Sequence, residues 1–224
     1  AKRIRVSFFS QLLFGFDQQN WRRGMSCLTA NLPCMNSTKR SRHAIDFDRN
    51  RSAMLPYIVE CLRSYDGSHD IDHALRVEKC VVHACAAQKT SKRVQFLSRL
   101  AALCHDTCDS KYVNKDHMLL DLGEFLISQS MCAQDAKVIL ETVANISFTG
   151  LRQRGVPNLD MDILPVWRIV SDADMVEATG ATGLTRTLLH QGYREQELDC
   201  ALDYAHDYLL TCHRYIVTNV LHME

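Results

Sequence analysis

The chain has 224 residues, of which 46% are hydrophobic and 23% charged, and its formal net charge is zero. This is the balance of a globular chain able to build one core of ordinary size, which excludes a wholly disordered polymer. Zero net charge gives no general argument for nucleic acid or a membrane surface as partner, and no apolar run approaches the ~20 residues of a membrane span.

The zero hides an asymmetry. Residues 1–45 carry eight cations (Lys2, Arg3, Arg5, Arg22, Arg23, Lys39, Arg40 and Arg42) against Asp17 alone, a net +7 that leaves −7 for the remainder. Arg-rich and acid-poor composition describes a mitochondrial transit peptide. A disordered basic tail, or mistranslated upstream sequence with the start at Met25, is the preferred reading here. The expectation is therefore a basic, irregular extension over 1–45 and a folded domain over 46–224. Ten cysteines are scattered, mostly on apolar helical stripes (Cys61, Cys80, Cys104, Cys132), and no secretory signal precedes them. They read as reduced core thiols in an intracellular, cytoplasmic protein, with mitochondria as the alternative.

Nine glycines, four prolines and few alternating β-branched runs favour helices over sheets. Helical periodicity begins near Met54 and runs to about Tyr65, where Asp66-Gly67-Ser68 breaks it. A second helix is expected from about Ile71 to Gln88, with His73, Val77, Val81 and Ala84 on one face. A third spans about Arg93 to Cys108 (Val94, Leu97, Ala101, Cys104). A fourth falls at Asp116–Gln129 and a fifth at Ala133–Ser147. Phe148–Leu164 reads as an extended loop. A sixth helix follows Pro165 and is punctuated by Gly180 and Gly183. A seventh covers Gly183–His190, and a long last one Arg194–Val220. Without repeats or heptads, the expected architecture is all-α and non-bundle.

The chemistry concentrates at His105-Asp106, where an apolar run (Leu97, Leu100, Ala101, Cys104) leads into an imidazole and a carboxylate side by side. Burying such groups unpartnered costs roughly 2–7 kcal/mol even for a neutral polar group; a metal ion removes that cost by making both into ligands. His73 lies at the start of its helix, and Asp174 lies over Trp167, Val170 and Ala178 on the apolar face of another. Asp172 is ~200° away around that helix and reads as an ion-pair or helix partner. His73, His105, Asp106 and Asp174 form a mixed nitrogen–oxygen set suited to Mn²⁺, Fe²⁺, Co²⁺ or Zn²⁺, and less well to Mg²⁺. Cys104 and Cys108 flank the pair as soft zinc ligands of low rank, because no Cys-x-x-Cys partner exists.

These residues resemble the HD-domain metal-dependent phosphohydrolases, whose pattern is H…HD…D, here His73…His105-Asp106…Asp174. The flanks resemble the small stand-alone members: His69-Asp70-Ile71-Asp72-His73-Ala74-Leu75-Arg76-Val77, then Leu103 through Tyr112, then Asp172 through Thr187. Ile146-Ser147-Phe148 and Gly150 match the loop after the fifth helix. The resemblance spans about Leu55 to Leu189. It implies an all-α HD fold, one divalent metal (Mn²⁺ favoured), and hydrolysis of a small phosphorylated molecule, a nucleotide above all. Asp109 is then expected to orient or deprotonate the attacking water, with Lys111 and Arg76 neutralising phosphate charge. Lys115, Arg152 and Arg154 are lesser cationic candidates at the rim, and His69 and Asp70 are expected to support the ligands by hydrogen bonds. Neither nucleic acid nor a membrane is expected as partner.

Two alternatives stand beside this. One is a metal-holding sensor domain without turnover, disfavoured by Asp109 and Lys111. The other is a di-iron oxygenase, disfavoured because His117 alone lies between Asp106 and Asp174. Taken singly, the residues have plainer explanations: Arg76 as an i,i+4 partner of Asp72, Asp174 paired with Arg186, and His206 and His213 as surface or packing residues.

Overall fold

The computed structural model describes residues 47–218. The basic extension over 1–45, its targeting reading, and the expected helix end at Val220 lie outside these. Among the described residues there are nine α-helices and a closing 3₁₀ turn, with no strand. In chain order they are α1 (Phe47–Leu62), α2 (Ile71–Ala87), α3 (Lys92–Cys104), α4 (Lys115–Ser128), α5 (Ala133–Asn145), α6 (Phe148–Arg154), α7 (Leu164–Glu177), α8 (Gly180–Tyr193), α9 (Leu198–Asp207) and the 3₁₀ segment Leu209–Tyr215. The all-α expectation holds.

The centre is the mutual packing of α2, α3 and α7. Their facing stripes are fully buried: Val77, Val81 and Ala84 from α2, Leu97, Leu100, Ala101 and Cys104 from α3, and Val166, Val170 and Ala173 from α7. Each of the valines and leucines removed from water contributes roughly 1.5–3 kcal/mol. Short polar caps set the helix starts. Asp70 accepts from the His73 amide at 2.8 Å and Ser91 from the Val94 amide at 3.2 Å, filling donors that a first turn leaves unpaired. Glu78, buried on α2, receives Arg51 Nε of α1 at 3.4 Å and Arg99 Nε of α3 at 2.8 Å, which ties three helices to one carboxylate.

Three expectations need correction. The first helix begins at Phe47 and not near Met54, so Pro56 lies in its interior, where it removes one intrahelical hydrogen bond. The loop expected over Phe148–Leu164 opens with a short helix, α6. Ser147 caps it by accepting from the Gly150 amide at 3.0 Å, and Gly155 (φ 73°) ends it. The last helix is not continuous to Val220. The carbonyl of Asp207 accepts from Arg152 Nη1 and from the Thr211 hydroxyl, and that of Tyr208 from the same hydroxyl. Side-chain donors thus occupy carbonyls that an α-helix would use, and the chain tightens into 3₁₀.

Between α7 and α8, Gly180 holds φ +68°, and Gly183 passes so close to the Ala178 carbonyl that a Cβ there would lie 1.9 Å from its oxygen. This tight turn swings α8 back across the start of α2, bringing Arg186 and His190 to the loop that precedes it.

Candidate metal centre

Three helices deliver the four residues. His73 sits in the first turn of α2, three residues after its Asp70 cap. His105 is the C-cap of α3. There the Thr107 amide and hydroxyl both return to the Cys104 carbonyl, at 3.0 and 2.8 Å, and stop the helix. Asp106 follows in that turn. Asp174 projects from α7 on the same face as Glu177, one turn on.

The side chains converge. His73 Nε2 and His105 Nε2 are 3.1 Å apart. Asp106 Oδ2 lies 3.4 Å from the first and 3.3 Å from the second, and Asp174 Oδ1 lies 3.4 and 3.6 Å from them. Both imidazoles are buried. The hydrogen positions follow from the outer nitrogens. His105 Nδ1 donates to the Ala102 carbonyl at 2.8 Å. His73 Nδ1 lies 2.8 Å from Glu177 Oε2, off the line of a straight hydrogen bond but close enough for the carboxylate to hold the ring proton on that side. Each neutral ring therefore turns its Nε2 lone pair inward.

Two nitrogen lone pairs and two carboxylate oxygens facing one point have no donor among them. That arrangement calls for a cation, and two nitrogens with two anionic oxygens fit a divalent first-row ion. The electrostatics agree. Burial alone would make His105 less basic, but the Asp106 and Asp174 carboxylates outweigh it and raise its pKa to about 9. For His73 burial is likewise outweighed, by Asp174 and Glu177, and its pKa rises. Burial would raise Asp106 and Asp174; His105, joined by His69 and His73 at Asp106 and by His73 at Asp174, reverses this and holds both below the ordinary carboxylate range. Without a metal the pocket draws in a proton; with one, that proton is displaced.

Glu177 was not legible as a site residue. It is buried behind His73 and also receives Arg76 Nε and Arg186 Nη1, each at 2.5 Å. Arg76 thus pairs with Glu177 rather than Asp72, and Arg186 with Glu177 rather than Asp174. A carboxylate behind a ligating histidine fixes its ring and tautomer; burial would raise the carboxyl of Glu177, but His73 first, and then Arg76 and Arg186, hold it below the ordinary range.

Asp109 lies in the turn beyond Asp106. Its Oδ1 accepts from the Lys111 amide at 2.9 Å, and its Oδ2 lies 3.3 Å from Lys111 Nζ and 3.9 Å from His69 Nε2. Asp70 supports His73 through the backbone, as a cap. His69 makes no hydrogen bond to any of the four converging residues. It belongs to a second network around Asp66, which accepts from the Ser68 hydroxyl, the Tyr112 hydroxyl and His190 Nδ1. No local pattern joins Asp66, read as a helix breaker, to His190, 124 positions on.

Other candidates lie elsewhere. Asp172 points away and accepts from the Val217 and Thr218 amides. Lys115 donates to the Ala144 carbonyl at 2.7 Å, and the Arg152 guanidinium lies 4.5 Å over the Tyr208 ring. His117 pairs with Asp121 at the surface, and His206 and His213 are exposed. Cys104 and Cys108 are buried thiols that belong to none of the metal-capable clusters among the described residues, and burial pushes Cys108 up to about 11. All eight described cysteines are free. No described helix is long and apolar enough to cross a membrane.

No protein-family profile and no curated protein matches the chain. Solved structures do. A Lactobacillus plantarum protein superposes with TM-score 0.65 at 20% identity, covering 76% of this chain and 85% of that one. Bacillus subtilis YpgQ in complex with ADP gives 0.60 at 20%, covering 78% and 84%. A Bacillus thuringiensis HD-superfamily hydrolase gives 0.58 at 18%, covering 78% and 86%. At these identities the likeness is one of fold, and the fold is that of the stand-alone HD-domain proteins.

Proposed function

We propose that this protein is a divalent-metal-dependent phosphohydrolase that acts on a small phosphorylated molecule, a nucleotide first of all. The observation that carries the reading is the inward-facing set of two imidazole lone pairs and two carboxylate oxygens, set in an HD-domain fold. The ADP held by YpgQ, on the same fold, supports the nucleotide as substrate class.

His73, His105, Asp106 and Asp174 would hold the ion, Mn²⁺ being favoured among Fe²⁺, Co²⁺, Zn²⁺ and Mg²⁺. When bound, such an ion supplies a Lewis acid for a phosphoryl oxygen and acidifies a water, for zinc from about 15.7 to about 7. Asp109 is fixed by two contacts from Lys111 and orients the attacking water. Lys111, more than half exposed, and Arg76, anchored on Glu177, bring positive charge to the phosphate.

The test is a screen of nucleoside mono-, di- and triphosphates with Mn²⁺, Co²⁺ and Mg²⁺. Phosphate or pyrophosphate release is expected, abolished by His105→Ala and by Asp106→Ala. Turnover indifferent to both changes would overturn the reading.

A further inference from the structure

Beside the four metal-facing residues stands an imidazole with no assigned task. The side chain of His69 is only 12% exposed and shares its surroundings with Asp66, Tyr112 and His190 on one side and Asp106, Asp109 and Lys111 on the other. Its two ring nitrogens face different chemistry.

Nδ1 lies 2.7 Å from Ser68 Oγ, 3.1 Å from the Tyr112 hydroxyl oxygen and 3.4 Å from Asp66 Oδ1. Both hydroxyls donate their protons to Asp66. Their oxygens are therefore acceptors towards the ring, as is the carboxylate. Three acceptors around one nitrogen place the ring proton on Nδ1. The lone pair is left on Nε2, which points towards Asp109 Oδ2 at 3.9 Å. That gap is too long for a direct hydrogen bond and suits a water between them.

We propose that His69 accepts the proton of the attacking water, with Asp66 and Ser68 positioning the ring and Asp109 orienting the water. The inference rests on the phosphohydrolase reading. The water gives one proton to Nε2 as its oxygen bonds to phosphorus. The bond from phosphorus to the leaving-group oxygen breaks, and that oxygen departs with the bonding pair as an anion. The imidazolium is held against Asp66 through the Ser68 hydroxyl and then releases its proton to solvent. With the ring proton held on Nδ1 by its three acceptors, the Nε2 lone pair is the one left to take the proton.

A second ion held by His69, Asp106 and Asp109 is the competing use of the same atoms. It is disfavoured by charge. Asp109 is already balanced by Lys111, and Asp106 is committed to the first site.

The experiment compares wild type with His69→Gln and His69→Ala on the nucleotide found in the screen, alongside Mn²⁺ titration by calorimetry. The expected result is a 10²–10⁴-fold loss of kcat with KM and Mn²⁺ affinity unchanged, one ion per chain in all three, and partial rescue of the alanine variant by added imidazole. Nitrogen-15 NMR of the metal-free wild type gives a check independent of turnover, with His69 protonated on Nδ1. His69→Gln turning over within threefold of an active wild type, a proton on Nε2, or two ions per chain falling to one in His69→Gln would each overturn the inference. A wild type that hydrolyses none of the nucleotides sinks the phosphohydrolase reading, and this step with it.

Discussion

Glu177 sets the quality of the site without facing it. Its carboxylate lies behind His73 and between Arg76 and Arg186. Glu177→Gln removes the charge that keeps the ring proton on Nδ1, and Mn²⁺ affinity should fall about 10–100-fold, read by calorimetry. Unchanged affinity would show that His73 needs no such partner. Asp109→Ala should act oppositely, losing turnover while binding Mn²⁺ as wild type does. Asp66 makes a prediction in pH. Burial would raise its pKa, but the contacts from Ser68, Tyr112 and His190 hold it below the ordinary carboxylate range. A carboxylate with a depressed folded-state pKa contributes stability that is fully present above about pH 4 and is lost as pH falls towards the folded value. Between pH 4 and 2, the stability of wild type should therefore fall more steeply than that of Asp66→Asn. Equal slopes would contradict it. At this scale the sequence was readable where chemistry sits in consecutive residues: His105-Asp106, and His73 after its cap. It was silent on Glu177 and His190, which gain meaning from partners about 100 positions distant, a separation that no local pattern encodes.

At the scale of elements, α2, α3 and α7 were legible because each buries one regular stripe, and period alone identifies such a helix. The chain beyond Leu189 was not. Its apolar residues remain helix-like in spacing, but Arg152 and Thr211 compete for the carbonyls of Asp207 and Tyr208, and that competition exists only in the folded chain. Phe148–Arg154 escaped for a related reason: about two helical turns capped by Ser147 are too short to show a period. The joint between α1, α2 and α3 is testable at Glu78. Glu78→Gln weakens two arginine contacts at a buried carboxylate and should cost about 1–3 kcal/mol. In urea this appears as a lower midpoint with an unchanged slope; an unchanged midpoint would contradict the role given to it.

For the whole molecule, a centre built from α2, α3 and α7 would join metal binding to stability, because an ion held by His73, His105, Asp106 and Asp174 would grip the three helices that form the core. An ion that binds only the folded chain adds about 2.7 kcal/mol at 100 times its Kd, which for a domain of this size is about 5–10 °C in Tm. Adding Mn²⁺ to metal-free protein should give that rise, and a chelator should reverse it. The most direct test is the number of Mn²⁺ ions bound per chain, with affinity, in wild type, His105→Ala and Asp174→Ala. One ion per wild-type chain and at least a hundredfold weaker binding in both variants is the predicted result. Wild-type affinity in Asp174→Ala would contradict it, because α7 would then take no part in holding the metal.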